Sequence, residues 1–106
     1  MLVSTTNDIP GHHVVRHIGI VRGITVRSRS AIGNFAGGIQ SLFGGKLTVF
    51  VSLAETAREE AYNHLCEHAQ AAGANAIIGM RYDANEIMDG ITEVLAYGTA
   101  VVVEPG

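Results

Sequence analysis

The sequence is poor in residue types that stabilise or functionalise many small domains: it has one cysteine, two prolines and no tryptophan. The lone thiol of Cys66 cannot form an internal disulfide, so the fold does not depend on oxidation. The net charge is −3, which supplies no basic field to attract nucleic acid or an anionic membrane. These shortages exclude a disulfide-stapled scaffold and predict that neither nucleic acid nor a membrane is a partner.

Long apolar runs are also missing. The longest, over residues 94–103, contains Tyr97, Gly98 and Thr99 and is too short to cross a bilayer as a helix. The first residues lack the basic stretch and apolar core of a secretory signal. We therefore expect a cytoplasmic protein.

Charged residues make up only 16% of the chain, whereas hydrophobic residues make up 47%. The 106 residues are expected to form one domain, because two cores would each bury too little apolar surface. Since about a quarter of the residues of a typical domain are charged, this small domain is expected to expose apolar surface. We interpret the low share of charged residues as a sign that part of the apolar surface is buried against copies of the same chain. The alternative is a tight alanine- and glycine-rich monomer.

Residue type and alternation predict four strands, over residues 2–6, 13–28, 76–83 and 92–103, with a polar break over residues 84–90. In the second predicted strand, Gly19 and Gly23 interrupt a run rich in valine and isoleucine. A bulge or bend is expected at these glycines. Neither side of this strand is cleanly polar, so we expect it to contact protein on both faces.

Helical spacing occurs in two segments. Residues 31–43 predict a short helix that stops at Gly44-Gly45, and residues 51–72 predict the main helix. Ser52 and Glu55 match a capping box, which would place residues 47–51 in an extended lead-in; the alternative is that the helix starts earlier.

Small residues form one stripe along the main helix, which implies that the helix lies close to the sheet or to another helix. The stripe consists of Ala54, Ala57, Ala61, Leu65, Ala69 and Ala72. Gly73 is the predicted C-cap, because glycine tolerates the left-handed conformation that ends many helices. The predicted fold is therefore α+β, with a small antiparallel or mixed sheet packed against one long and one short helix.

His64 and His68 are the candidate metal ligands. They are four positions apart on the main helix, so their side chains share one face and suit a transition metal ion. Cys66 points away from that face. Two ligands alone bind weakly, so a third would have to come from another segment or subunit. The alternative is that both histidines lie at the surface or at an interface without a metal.

A second group of histidines lies at residues 12, 13 and 17. His13 and His17 would be about 13 Å apart along an extended strand, which is too far for them to chelate one ion. His12 and His13 diverge if the chain is extended. Only the symmetry of an oligomer would gather these side chains, and the alternative is that they lie in a turn and on the strand surface.

No reactive constellation stands out. Gly44-Gly45-Lys46 lacks the spacing of a phosphate-binding loop, and Cys66 has no basic residue one helical turn away to activate it. Four arginines crowd one region without the interleaved aromatic residues of a nucleic-acid surface. We expect them to form salt bridges with the acidic main helix, within or between subunits. They are Arg16, Arg22, Arg27 and Arg29.

Several short motifs occur in a family's order across nearly the whole chain. They are Ser4-Thr5-Thr6, Asn34-Phe35 with the later Gly44-Gly45, Ala57-Arg58-Glu59, the run AGANAIIGMRYD over residues 72–83, and Gly98-Thr99-Ala100-Val101. On these motifs the chain resembles the YbjQ-like family, whose members are described as "putative heavy-metal-binding". The resemblance implies an α+β fold and a ring-like homo-oligomer, a homopentamer. It supplies no ligand motif, so His64 and His68 are not inherited sites.

The sequence therefore predicts a non-enzymatic, cytoplasmic homo-oligomer. We expect it to bind a divalent transition metal ion or another small ligand at subunit interfaces. Two alternatives stay open. One is an enzyme with an inter-subunit pocket, whose polar groups would include Arg58, Tyr62 and His68. The other is a structural or adaptor ring that binds no ligand.

Overall fold

The computed structural model describes residues 1–28 and 45–106, excluding the side chains of residues 45–49. In this part of the chain the elements are β1 (Leu2–Val3), β2 (His12–Ser28), α1 (Gly45–Ala71), β3 (Ala76–Met88) and β4 (Ile91–Pro105). These strands form one sheet in the order β1–β3–β4–β2, in which β1 and β3 are parallel and the other pairs are antiparallel. The predicted α+β fold with a small mixed sheet and a long helix is confirmed. The short helix predicted over residues 31–43 lies outside the described residues.

The C-terminal end of α1 is confirmed where the sequence places it. Gly73 has a φ of 92°, its N–H donates to the Gln70 carbonyl, and the Ala74 N–H donates to the Ala69 carbonyl. This pair of bonds is a Schellman motif, which satisfies carbonyls that the end of a helix leaves free. The next residue, Asn75, binds the backbone of Val103 through both its amide nitrogen and its amide oxygen, at 2.9 and 2.8 Å. The helix therefore stops and enters the sheet within four residues.

The start of α1 differs from the prediction. The helix begins at Gly45, so residues 47–51 are helical and not extended. Ser52 is not the N-cap: it lies inside the helix, where its carbonyl accepts a bond from Thr56 Oγ1 at 2.9 Å. The β-branched residues before Ser52 have only a weak preference for strands, which does not prevent a helix here. Phe50 and Leu53 turn towards the sheet and line a cavity there.

The predicted polar break over residues 84–90 is wrong. β3 continues to Met88 and pairs with β4 as far as Ile91, so only Asp89 and Gly90 form the turn. Four residues of this stretch, Asn85, Glu86, Asp89 and Gly90, favour a loop when they are considered alone. The first two lie instead in the exposed part of β3, together with the apolar Ile87 and Met88.

The two glycines of β2 have different roles. Gly19 has a φ of 143° and adjoins a register shift against β4, which confirms the predicted bulge. Gly23 stays in register, so no bulge occurs there. A Cβ atom at Gly23 would lie 2.1 Å from the Ala61 carbonyl oxygen and 2.2 Å from the Leu65 nitrogen. Gly23 therefore allows the backbone of α1 to approach β2 closely.

The core is divided between the two faces of the sheet. On the helix side, four members of the predicted stripe are fully or almost fully buried, whereas Ala54 and Ala72 are exposed. On the other side, Ile9 closes a smaller cluster at one end of the sheet. The buried stripe residues are Ala57, Ala61, Leu65 and Ala69, and the smaller cluster consists of Ile9, Ala76, Ile78, Val101 and Val103.

The protomer is elongated. Its radius of gyration is 17.1 Å, with extents of 56 × 26 × 18 Å, whereas a compact domain of this length has a radius of gyration of about 13 Å. The long antiparallel strands therefore present much of their surface outside the protomer's own core.

Within residues 1–28 and 45–106, no helix combines the length and apolar character that a membrane crossing needs.

Candidate functional site

The two candidate metal ligands lie on the exposed part of α1. The Arg22 backbone N–H lies 3.1 Å from His68 Nδ1, and the Arg22 carbonyl oxygen lies 3.2 Å from the same atom. His64 Nδ1 lies 3.6 Å from a Glu67 carboxylate oxygen. Among the described residues, no group of three or more histidine, cysteine, aspartate or glutamate side chains could hold a metal ion. The site at His64 and His68 stays a prediction.

The second histidine group remains dispersed along one end of β2. His12 Nδ1 lies 3.0 Å from the Pro10 carbonyl oxygen, and His13 Nε2 lies 4.0 Å from a Glu104 carboxylate oxygen. His17 is exposed further along the strand. Each of these histidines therefore has its own local surroundings within the chain.

A cleft between α1 and the hairpin of β3 and β4 contains two adjoining cavities. The first is open, has a volume of about 460 Å³ and is lined by Glu55, Arg58, Glu59, Tyr62 and Tyr82. The Arg58 guanidinium carbon lies 6.0 Å from the centre of the Tyr82 ring, a cation–π distance. Arg58 and Tyr62, two of the polar groups named for an enzyme, meet in this cavity. His68 does not line it.

Two tyrosines of the first cavity are harder to ionise than usual. Partial burial, reinforced by the nearby Cys66 thiol and its hydrogen bond, raises the pKa of Tyr62. Burial also raises the pKa of Tyr82, which the Arg58 charge opposes. Both phenols are therefore neutral hydrogen-bonding groups at physiological pH and not activated nucleophiles.

The second cavity lies deeper between the N-terminal half of α1 and the sheet, and its volume is about 240 Å³. Its walls are mostly apolar, with two arginines at the boundary. Arg58 lines both cavities. The lining residues are Arg27, Phe50, Leu53, Ala54, Ala57, Arg58, Ala84, Thr92 and Val94.

Arg27 is held by a network that crosses from β2 to α1. Arg27 Nη2 lies 2.6 Å from Glu60 Oε2, and Arg27 Nη1 donates to Thr25 Oγ1 at 2.9 Å. Thr25 Oγ1 in turn donates to Glu60 Oε2 at 3.0 Å. These bonds from Arg27 and Thr25 lower the pKa of Glu60. The predicted pairing of a β2 arginine with the acidic helix is confirmed for Arg27, within one chain.

We expect this network to make the stability of the fold depend on pH in the acidic range. The pKa of Glu60 is lowered in the folded state. The ionised carboxylate therefore stabilises the fold fully above the pKa of glutamate in the unfolded chain, and this stabilisation is lost as the pH falls through the pKa of Glu60 in the folded state. Glu60→Gln should lower the melting temperature at pH 7, and the difference from wild type should shrink below about pH 4. Thermal melts between pH 7 and pH 3 measure this. Glu59→Gln, at the exposed neighbouring position, is the control, and a Glu60→Gln difference that does not change with pH would contradict the assignment.

Sequence reasoning missed the contribution of Ala84 to the cleft because it placed residues 84–90 in a polar break. The signal was present in the alternation of polar and apolar residues from Arg81 to Asn85. Tyr82 and Ala84 lie opposite Ala96 and Val94 of β4, on the face covered by α1. Tyr82 already lies in the strand predicted over residues 76–83, and extending that strand by the same period would have placed Ala84 on the same face.

Comparison with known proteins agrees with the fold and the motifs. A family model, YbjQ_1, described as "Putative heavy-metal-binding", matches residues 1–104. A UPF0145 protein of Chromobacterium violaceum is 62% identical over 104 residues, which cover 98% of this chain and 89% of the relative. A UPF0145 protein of Burkholderia thailandensis is 54% identical over 100 residues, which cover 94% of this chain and 90% of the relative.

A crystal structure of a protein of the DUF74 family from Pediococcus pentosaceus, described as having unknown function, has a similar fold. Its TM-score is 0.58 and its identity 18%, and the match covers 98% of both chains. At that identity the likeness supports the fold alone. The family model and the relatives name no reaction. With a family model matched over almost its full length and a relative at 62% identity, the chain belongs to the YbjQ family.

Proposed function

We propose that the chain is a non-enzymatic, cytoplasmic homo-oligomer, a homopentameric ring, that binds a divalent transition metal ion or a small ligand at its subunit interfaces. The observation that carries the proposal is an apolar surface on the side of the sheet opposite α1. We call this surface the open face. It consists of Ile20, Ile24, Val26, Leu95 and Tyr97.

The open face follows from the alternation of β2. Val21, Gly23 and Thr25 are buried towards α1, so the residues between them point to the other side of the sheet. Ile20 is 78% exposed there, which is unusual for a large aliphatic side chain in the middle of a sheet. A contiguous patch of this kind on a small protein is typical of an interaction surface.

Charges on the open face favour a second copy as its partner. Arg22 and Arg81 lie on either side of Tyr97 in the register of the sheet, and Asp83 and Glu93 lie beside the next residues of the face. One surface therefore presents apolar groups together with both signs of charge. Two copies can bury the apolar groups and pair opposite charges.

Two sheet edges that have no second strand partner among the described residues, residues 12–27 of β2 and residues 81–88 of β3, support a ring over an isolated dimer. β2 is an outer strand of the sheet, and residues 81–88 of β3 extend beyond its pairing with β1. Within the described ranges, neither stretch has a second strand partner. His68 binds the Arg22 backbone and so occupies one point of the β2 edge. Joining one edge to the other edge of the next copy is a head-to-tail contact, which closes a ring when the rotation permits.

The position of His68 is compatible with a metal ligand. The tautomer decides this: when Nδ1 accepts from the Arg22 N–H, the neutral ring carries its proton on Nε2, and when Nδ1–H donates to the Arg22 carbonyl, Nε2 is available to an ion. Metal-binding histidines are commonly oriented by such a bond to a backbone carbonyl. His64 lies one helical turn away, and a neighbouring copy would supply a third ligand.

Native mass spectrometry during a Zn²⁺ titration tests both halves of the proposal. We expect a species of five copies that takes up zinc. His68→Ala should keep that mass but lose zinc affinity by about tenfold or more, which corresponds to about 1.4 kcal/mol. His17→Ala is the matched control, because it removes an exposed histidine from β2. A monomer at micromolar concentration would refute the assembly, and equal zinc binding by wild type and His68→Ala would refute the metal site.

A further inference from the structure

Beyond the interface ligands of the proposed function, the cleft within a single chain has the features of a binding site. We propose that the second cavity, between α1 and the sheet, binds a small organic monoanion that has an apolar body, such as an aromatic or short aliphatic carboxylate. Its charged group would lie at Arg58, where the two cavities meet.

The walls of the second cavity suit an apolar body. Phe50 and Leu53 contribute one side from α1, and Ala84 and Val94 contribute the other side from β3 and β4. Small side chains at Ala54 and Ala57 leave the space between them open. Ligand sites are typically concave and mostly apolar, with a few polar groups that orient the ligand.

The two arginines at the boundary differ in their electrostatic surroundings. Arg27 already has a carboxylate partner, because its Nη2 lies 2.6 Å from Glu60 Oε2. Arg58 has no carboxylate within 4.0 Å among the described residues, and its guanidinium faces the Tyr82 ring. Arg58 is therefore the cation that can accept an external anion without breaking an ion pair. Guanidinium binds a carboxylate through two parallel hydrogen bonds.

Acidic neighbours restrict the charge of the ligand. Glu55 and Glu59 line the first cavity together with Arg58. Their field repels a second negative charge on a ligand, so phosphate groups and dicarboxylates are disfavoured. A monocarboxylate gains the contact with Arg58 at the smallest cost in repulsion.

The volume restricts the size of the ligand. The second cavity measures about 240 Å³, which is below the range of about 300–1,000 Å³ typical of sites for drug-sized molecules. One aromatic ring or a chain of a few carbon atoms fits these limits. Benzoate is therefore a suitable probe, and benzylamine is its counterpart of similar shape and opposite charge.

Titration of the full chain with benzoate, followed by two-dimensional NMR and calorimetry, tests the inference. We expect saturable shifts in the amides of Ala57, Ala84 and Val94, and no saturable response to benzylamine. Arg58→Gln should weaken benzoate binding by about tenfold or more, because it removes a charged hydrogen-bonding partner. Arg58→Lys should retain part of the affinity, and Ala84→Phe should block binding by filling the cavity.

Arg16→Gln is the matched control, since it removes an exposed arginine from the part of β2 near the other end of α1. Equal benzoate binding by wild type and Arg58→Gln would overturn the inference, and so would the absence of saturable binding to folded wild-type protein. Neither result concerns the oligomeric state or zinc binding. The proposed function is therefore tested separately from this inference.

Discussion

Replacing Gly23 with alanine is expected to destabilise the fold by about 3 kcal/mol or more, at the upper end of the cost of overpacking a core. The added Cβ would lie 2.1 Å from the Ala61 carbonyl oxygen and 2.2 Å from the Leu65 nitrogen. Both are backbone atoms in the middle of α1, so no rotation of a side chain relieves the overlap. The whole helix would have to move away from β2.

That movement would open the main core, because Ala61 and Leu65 are fully buried between α1 and the sheet. Thermal or urea denaturation of Gly23→Ala measures the loss. A second variant, Gly23→Ala with Ala61→Gly, should not recover stability, since the overlap involves the Ala61 carbonyl and not its methyl group. Recovery in this double variant would show that the contact is between side chains.

Gly19→Ala is the matched control on the same strand. A Cβ added at Gly19 would meet open space, but the φ of 143° means that alanine there introduces backbone strain without an overlap. Such strain costs about 1–3 kcal/mol. We expect Gly19→Ala to be less destabilising than Gly23→Ala. A Gly23→Ala protein that melts at the wild-type temperature would contradict the close packing of α1 on β2.

The two glycines also show which parts of this fold local sequence can predict. Gly73 was predictable because its role is decided by its own φ, by the bond from its N–H to Gln70 and by the bond from the Ala74 N–H to Ala69, all within residues 69–74. Gly23 was not, because its role depends on a helix backbone almost forty positions away. A glycine in a strand is consistent either with a bulge or with the close approach of another backbone segment. Only the position of that segment in the folded chain distinguishes the two roles.

The same distinction applies to the ends of the elements. Residues 47–51 have the composition of a strand, yet they are helical, and Phe50 lines the second cavity against the sheet. Residues 84–90 contain Asn85, Glu86, Asp89 and Gly90, which favour a loop, yet residues 84–88 are a strand because β4 supplies their partners. The candidate cleft forms where these two segments meet. Sequence reasoning could name Arg58 and Tyr62 but could not find the apolar cavity beside them.

The open face should respond strongly to a buried charge. Ile20→Asp is expected to shift the proposed assembly to monomers at micromolar concentration. Burying an isoleucine contributes about 1.5–3 kcal/mol, and an unpaired carboxylate in its place adds several kcal/mol of desolvation cost. A loss of about 3 kcal/mol at each interface weakens association by more than about a hundredfold. Native mass spectrometry or sedimentation measures the change in mass.

The folding of the protomer should be preserved in this variant, because Ile20 is 78% exposed within the single chain. Circular dichroism should therefore show wild-type secondary structure in Ile20→Asp monomers, which separates dissociation from unfolding. Val51→Asp is the matched control: Val51 is 61% exposed on α1, away from the open face. It should leave the mass of the assembly unchanged, as should the conservative Ile20→Val. If Ile20→Asp keeps the wild-type mass, the open face is not the surface through which copies associate. The proposed ring would then have to be held by the edges of β2 and β3 that lack a second strand partner among the described residues.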